Sequence, residues 1–160
     1  MSDFSIIVSI HRLTTYTIVN LKTKLSDEVM DALIAAFCKR LRNLYYSMIL
    51  EALASSRYKG RWEPTEEGYL EYLGCTPVED FLSVVESSMY YKKVMSRYIV
   101  GFNETVKYPG SSLRLVKVLR AIEYGTSDFP ARPILKKIKR EIERSILRLW
   151  KGFLLQKGVL

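Results

Sequence analysis

The chain has 160 residues, of which 48% are hydrophobic, and it carries a formal net charge of +8 at pH 7. This length is usual for one folded domain, and folding can bury roughly two-thirds of the surface that the unfolded chain exposes. The sequence contains no apolar run near the ~20 residues of a membrane-spanning helix, and Asp3 stands where a secretory signal would have basic residues. The composition therefore predicts a folded protein made in the cytoplasm, and it excludes a disordered chain.

The charge is divided between two segments of opposite sign. Residues 132–157 contain nine basic and two acidic side chains, a net charge of +7. Residues 63–86 contain seven acidic side chains and no basic one. The molecule is therefore bipolar rather than uniformly basic, and this division bears on what it binds.

The N-terminal part is predicted to form two strands and a long helix. Residues 4–10 and 14–21 are rich in β-branched and apolar side chains without helical spacing, which is typical of paired strands. Ser26, followed by acidic residues, is typical of a helix start, and the helix should extend to about Ser55. Its apolar stripe is wide, which favours core packing over a coiled-coil seam. The main positions of that stripe are Met30, Ile34, Phe37, Leu41, Leu44 and Met48.

Shorter elements and a basic terminal helix are predicted for the rest of the chain. Turn and capping residues indicate a loop at 57–64, helices at 65–73 and 77–88, a strand at 94–102, and a helix from Ser111 or Ser112 to Tyr124. A last helix begins at Pro133, with basic residues largely outside an apolar stripe of Ile134, Ile138, Ile142, Ile146, Leu149 and Phe153.

These elements predict a mostly helical α+β fold, organised as a single domain over residues 1–160. In this fold a long N-terminal helix packs on a small antiparallel sheet, and a long basic helix ends the chain.

Residue types that carry catalysis or bind metals are scarce. His11 is the only histidine, and the sequence has no CxxC or HxxxH spacing and no glycine-rich phosphate loop. Cys38 lies within the apolar stripe of the long helix, which predicts a buried free thiol. The acid pairs at 66–67 and 79–80 stand at predicted helix starts, where acids are normally solvated. We therefore expect a protein without enzymatic activity, metal or cofactor.

The most specific motif is EYGTSDFPARP at residues 123–133. Gly125 can adopt the left-handed conformation that ends a helix. Pro130 and Pro133 fix φ, and each disfavours helical conformation in the residue before it. The motif therefore predicts a stiff, extended connection between two helices, with Ala131 small enough to lie against a neighbour.

This stretch resembles the tail-completion and virion-morphogenesis (neck) proteins of tailed bacteriophages. Those proteins typically have an aromatic-Gly-Thr segment, a short spacer and a Pro-Ala-Arg-Pro turn before a C-terminal helix. The turn is followed here by Ile134, where the family usually has Phe. The resemblance covers roughly residues 60–150 and includes a weaker similarity at Trp62-Glu63-Pro64. The matching motif residues are Tyr124, Gly125, Thr126, Pro130, Ala131, Arg132 and Pro133.

The resemblance implies a structural virion protein that acts at the neck, completes the tail and joins it to the head as part of a homo-oligomeric ring. By family analogy the ring is a hexamer, and the motif turn is an interface. The implied partners are copies of the chain itself, head–tail connector or adaptor proteins, and tail terminator or tube proteins. The implied location is the neck or tail of the virion.

The basic C-terminal helix leaves other hypotheses open. Its cations can neutralise phosphates, so the alternative function is a small basic DNA-binding or DNA-packaging accessory protein. In a neck ring, the same helix could touch the passing genome DNA nonspecifically. Binding to a membrane surface, with Trp150 and Phe153 at the interface, is ranked last, and we expect no membrane partner.

Two charged sets are candidates for a ring interface or for DNA contact. A head-to-tail ring needs two different patches on each subunit, and sets of opposite sign meet that need. The sets are Lys136, Lys139, Arg140, Arg144 and Arg148 on one side, and Glu66, Glu67 and Glu71 on the other.

Overall fold

The computed structural model describes residues 3–21, 24–54, 78–107, 113–127, 131 and 133–160. Helices dominate these ranges and accompany a small sheet, so the predicted mostly helical α+β fold is confirmed. The predicted loop at 57–64, the helix at 65–73 and the capping residues Ser111 and Ser112 lie outside the described residues. The elements in chain order are β1 Ile6–Ser9, α1 Ile10–Asn20, α2 Asp27–Ala54, α3 Val78–Ser88, β2 Met89–Val94, β3 Arg97–Phe102, α4 Leu115–Tyr124, α5 Leu135–Arg144 and α6 Ile146–Gln156.

The three strands form one antiparallel sheet in the order β1–β3–β2. β2 and β3 make a hairpin in which Val94 pairs with Arg97, and this leaves Met95 and Ser96 as the turn. Met95 has a φ of 57° and is 90% exposed. Hairpin turns with positive φ usually contain Gly, Asn or Asp, so this turn had no sequence signal. The prediction of one strand over 94–102 is therefore wrong at its start, since β3 begins at Arg97 and β2 was missed.

The predicted strand at residues 14–21 is wrong, because this segment belongs to helix α1. Ser9 caps the helix by accepting a hydrogen bond from the backbone N–H of Arg12 at 3.2 Å. Leu13 and Thr17 lie one turn apart and are both buried. The Thr17 hydroxyl donates to the Leu13 carbonyl and accepts a hydrogen bond from the indole Nε1 of Trp150 at 2.9 Å. The helix cap, together with the burial of Leu13 and Thr17 and the bond from Trp150, outweighs the strand preference of the β-branched residues.

Helix α2 supplies the largest single face of the core. Ser26 begins it as predicted, since its hydroxyl accepts a hydrogen bond from the backbone N–H of Val29 at 3.3 Å. The helix packs on β2, β3, α1 and α5, so the prediction of core packing is confirmed. Cys38 is the buried free thiol predicted from its position, and burial raises the pKa of that thiol to about 12. The buried residues of α2 are Met30, Ile34, Phe37, Cys38, Leu41, Tyr45 and Ile49.

The predicted C-terminal helix consists of α5 and α6, which are separated at Ser145. The backbone N–H of Ser145 is shared between the carbonyls of Glu141 and Ile142 at 3.2 and 3.1 Å, which tightens this turn. The predicted apolar stripe is buried from Ile134 to Phe153, except that Leu149 is only partly buried.

The aromatic residues of α6 face the protein interior. Trp150 is 0% exposed and Phe153 is 4% exposed, and their rings lie 5.0 and 5.6 Å from the ring of Phe37. The hypothesis that Trp150 and Phe153 enter a membrane interface is therefore wrong. Among the described residues, no helix combines the length and apolar character that crossing a membrane requires.

The bond between Trp150 and Thr17 gives a test of what holds α1 in helical form. Thr17→Val keeps the shape of the side chain but leaves the buried indole N–H without this acceptor, so we expect a loss of about 1–3 kcal/mol in the free energy of unfolding. Thr17→Ser keeps the hydroxyl and should lose less. Urea denaturation of both variants measures the difference, and equal stability of Thr17→Val and the unchanged chain would contradict the assignment.

Candidate interaction site

The side chain of Glu123 ties together the two ends of the motif connection between α4 and α5. This residue lies at the end of α4 and is 2% exposed. Its Oε2 accepts a hydrogen bond from the backbone N–H of Leu135 at 2.8 Å, and its Oε1 accepts one from Lys136 at 3.1 Å. The N-cap residue of α5, Ile134, makes no side-chain cap of its own. The carboxylate therefore satisfies amides that a helix start leaves unpaired, and its charge suits the positive end of the helix dipole.

Gly125 ends α4 as the sequence predicts. Its φ is 75° and its ψ is 177°, which is an extended positive-φ conformation rather than the left-handed helical one expected from the sequence, and it is essentially restricted to glycine. Its backbone N–H donates to the carbonyl of Ala121 at 2.8 Å, which closes the last turn of the helix. The chain can therefore leave α4 abruptly while the neighbouring Glu123 still reaches the start of α5.

Tyr124 is an exposed aromatic residue of the motif, and it lies close to side chains outside the motif. The Tyr124 ring is 50% exposed and lies 6.4 Å from the ring of Phe4. The ammonium group of Lys136 lies 4.9 Å from the centre of the Tyr124 ring. A hydrogen bond with Tyr124 raises the pKa of Lys136 above its usual value. Ala131 and Pro133 are also exposed, whereas Thr126 is partly buried, and Pro130 and Arg132 lie outside the described residues.

The five predicted basic residues of the C-terminal helices do not form a uniform face. Lys136 is held at Tyr124. Lys139 lies 3.9 Å from the carboxylate of Glu143 and donates to the backbone carbonyl of Asp3 at 3.4 Å. The remaining three, Arg140, Arg144 and Arg148, are exposed. The acidic set of Glu66, Glu67 and Glu71 lies outside the described residues, so its pairing with the basic set stays a prediction.

Cations of α2, outside the predicted charged sets, lie beside α6. The Arg40 guanidinium lies 5.8 Å from the centre of the Phe153 ring of α6, and the Lys157 ammonium lies 5.7 Å from the same centre. Lys39, next to Arg40, is also exposed. The sequence signal was a Lys-Arg pair at the edge of the α2 stripe, but no pattern indicated that α6 would lie beside it.

The chain matches no protein-family model, no curated protein and no solved structure. The described ranges contain no group of three or more His, Cys, Asp or Glu side chains placed to hold a metal ion. Functional proposals for the chain therefore depend on the motif and on the geometry of these surfaces.

Gly125 and Gly152 form a matched pair for testing the helix stop. Gly125→Ala places a side chain at a φ that strongly disfavours it, so we expect a loss of about 1–3 kcal/mol in the free energy of unfolding. Gly152 lies inside α6, and an added Cβ there meets nothing within 4 Å. Gly152→Ala should therefore increase stability by roughly 0.5–1 kcal/mol. Thermal and urea denaturation read both changes, and a neutral Gly125→Ala would contradict the strained geometry.

Removing the Glu123 carboxylate should loosen the start of α5. Glu123→Ala leaves the amides of Leu135 and Lys136 without their acceptors, which should cost about 2–3 kcal/mol. The control is Glu143→Ala, which removes a largely solvent-screened partner of Lys139 and should cost under about 1 kcal/mol. Amide hydrogen exchange at Leu135 and Lys136 should accelerate only in the Glu123 variant. Unchanged exchange at both amides would contradict the role of Glu123.

Proposed function

We propose that this chain is a structural virion protein of a tailed phage that acts at the neck, where it completes the tail and joins it to the head. In this proposal it works as part of a homo-oligomeric ring, sixfold by family analogy. Its partners are copies of itself, connector or adaptor proteins on the head side, and terminator or tube proteins on the tail side. The proposal starts from the similarity of residues 123–133 to the motif of such proteins.

The observation that carries the proposal is the Glu123 bridge across this motif. Both oxygens of a buried carboxylate on α4 accept hydrogen bonds from the first amides of α5, so the helices on either side of the connection are held together. A surface that is ordered before binding loses less conformational entropy on association. Tyr124 and Pro133, near the two ends of the connection and beside the bridged residues, are exposed, as expected for residues that contact a partner.

The charge distribution also supports assembly as a ring. A closed ring of identical subunits uses a heterologous interface, in which one patch meets a different patch on the next subunit. Exposed ion pairs contribute only about 0–1 kcal/mol each, so charge guides encounter and register while apolar contacts provide most of the affinity. The acidic segment at 63–86 and the basic helices α5 and α6 are candidates for this guidance.

The second candidate function is a basic DNA-binding or DNA-packaging accessory protein. It is favoured by the exposed arginines Arg140, Arg144 and Arg148 on consecutive turns of α5 and α6. Binding of this kind weakens steeply with salt, with a slope of about −0.9 in log K against log salt for each neutralised phosphate. Tight, salt-dependent binding of arbitrary duplex DNA by the isolated chain would favour this function over the neck role.

A proline pair in the motif tests the joining role. Pro130→Ala with Pro133→Ala should loosen the connection by widening the conformations open to it, at a stability change of only about 0.4–1 kcal/mol. We expect a folded protein, normal heads and normal tails, but few joined particles in electron micrographs. The control is Pro109→Ala, which changes a proline outside the motif. Normal infectivity of the double variant, or absence of the protein from purified particles, would contradict the neck role.

A further inference from the structure

A groove between α2 and α6 joins residues that are far apart in the sequence. It consists of two adjoining depressions of about 510 and 390 Å³ that share Arg40, Asn43, Phe153 and Gln156. Buried aromatic and aliphatic side chains, including Phe37 and Phe153, form its floor. The groove therefore offers an apolar base between two helices, at a place where exposed polar side chains stand on both sides.

The rim of the groove is basic. Lys39 and Arg40 come from α2, Arg148 comes from α6, and Lys157 follows α6. None of the described residues that line either depression is acidic. The Arg40 guanidinium and the Lys157 ammonium lie 5.8 and 5.7 Å from the centre of the Phe153 ring, both side chains are exposed, and neither forms an ion pair with a described carboxylate.

Gly152 keeps the groove open on the side of α6. It lines the larger depression, and a Cβ added there would meet nothing within 4 Å. Glycine weakens the interior of a helix relative to alanine, and no described neighbour requires its small size. The space above Gly152 is therefore available to a group from outside this part of the protein.

We infer that this groove receives residues 62–73 of a second copy of the chain. That segment has four acidic residues and no basic one, and its other members include Trp62, Tyr69, Leu70, Tyr72 and Leu73. Acidic and apolar side chains together complement a basic rim and an apolar floor. Duplex DNA presents mainly charged phosphates to a basic surface, so it would complement the rim of the groove better than its apolar floor. The inference rests on the proposed function, because it names the contact through which the subunits of the ring join.

This assignment changes which cations form the ring contact. Arg140 and Arg144 are exposed, but they line neither depression of the groove. Lys136 and Lys139 are engaged within the chain, at Tyr124 and at Glu143. Of the basic residues predicted from the sequence, Arg148 belongs to the groove, and α2 supplies Lys39 and Arg40 in place of the others.

Mixed cross-linking of two full-length variants tests the contact. Both carry Cys75→Ser; one adds Ser47→Cys, at an exposed position in the groove, and the other adds Thr65→Cys. Under mild oxidation, the two thiols should lose two electrons and two protons to an added disulfide oxidant and form a covalent heterodimer. Arg40→Glu with Arg148→Glu should lower the yield at least about tenfold, because like charges then face each other.

Two matched variants separate the groove from general charge effects. Arg140→Glu with Arg144→Glu makes the same charge change outside the groove and should leave the yield within about twofold. When the copy with Ser47→Cys also carries Arg40→Glu and Arg148→Glu, adding Glu66→Lys and Glu67→Lys to the copy with Thr65→Cys should restore the cross-link. Gly152→Leu should block the cross-link without any change of charge, while the protein stays folded by circular dichroism.

The inference is overturned if the groove variants leave the yield unchanged, or if folded Gly152→Leu gives the wild-type yield. It is also overturned if the cross-link forms only within a single chain that carries both cysteines. The neck role is read separately, from the presence of the protein in purified particles. A chain that is present in particles but forms no cross-link overturns the groove contact alone. A chain that forms the cross-link but is absent from particles supports the groove contact and overturns the neck role.

Discussion

Burial of one face of α2 is the constraint on which the rest of the structure depends. Its 28 residues place Phe37 against the rings of α6 and Tyr45 against Phe102 of the sheet. The Tyr45 hydroxyl also donates to the carbonyl of Phe4 at 2.8 Å, which ties the segment just before β1 to the helix. The sheet, α5 and α6 all pack on this helix. Its burial therefore sets the positions of both candidate interaction surfaces, which are the motif connection and the groove.

The Glu123 bridge shows how a buried charge can hold the two ends of a connection together. An unpaired carboxylate at this depth would be strongly destabilising, whereas one that accepts hydrogen bonds from the N-terminal amides of a helix is well compensated. The same two bonds set the distance between α4 and α5, so the motif between them is held at both ends. The bonds of Glu123 and the glycine stop at Gly125 act together, since the abrupt exit from α4 lets the start of α5 return to Glu123.

Formal charge is a poor guide to the surface that meets a partner. Lys136 and Lys139 contribute to the basic character of residues 132–157, yet both are occupied by neighbours within the chain. Arg40, from a different part of the sequence, stands on the groove beside Arg148. The position of each cation relative to a surface that can receive a partner therefore matters more than the total charge.

The sequence by itself determined the elements whose signals are local and long: the stripe of α2, the cap at Ser26, the stop at Gly125, and the terminal helices with Ile138 and Ile142 inside. It did not determine α1, because the β-branched residues of this segment favour a strand. The bond from Trp150 to Thr17, which supports the helix, joins parts of the chain that are far apart in the sequence. The turn at Met95 was missed because it contains no residue that prefers positive φ. The role of Glu123 and the groove between α2 and α6 were decided only by the tertiary structure. Both depend on groups that are brought together by packing, and the hydrophobic pattern of one helix does not specify which helix will lie beside it.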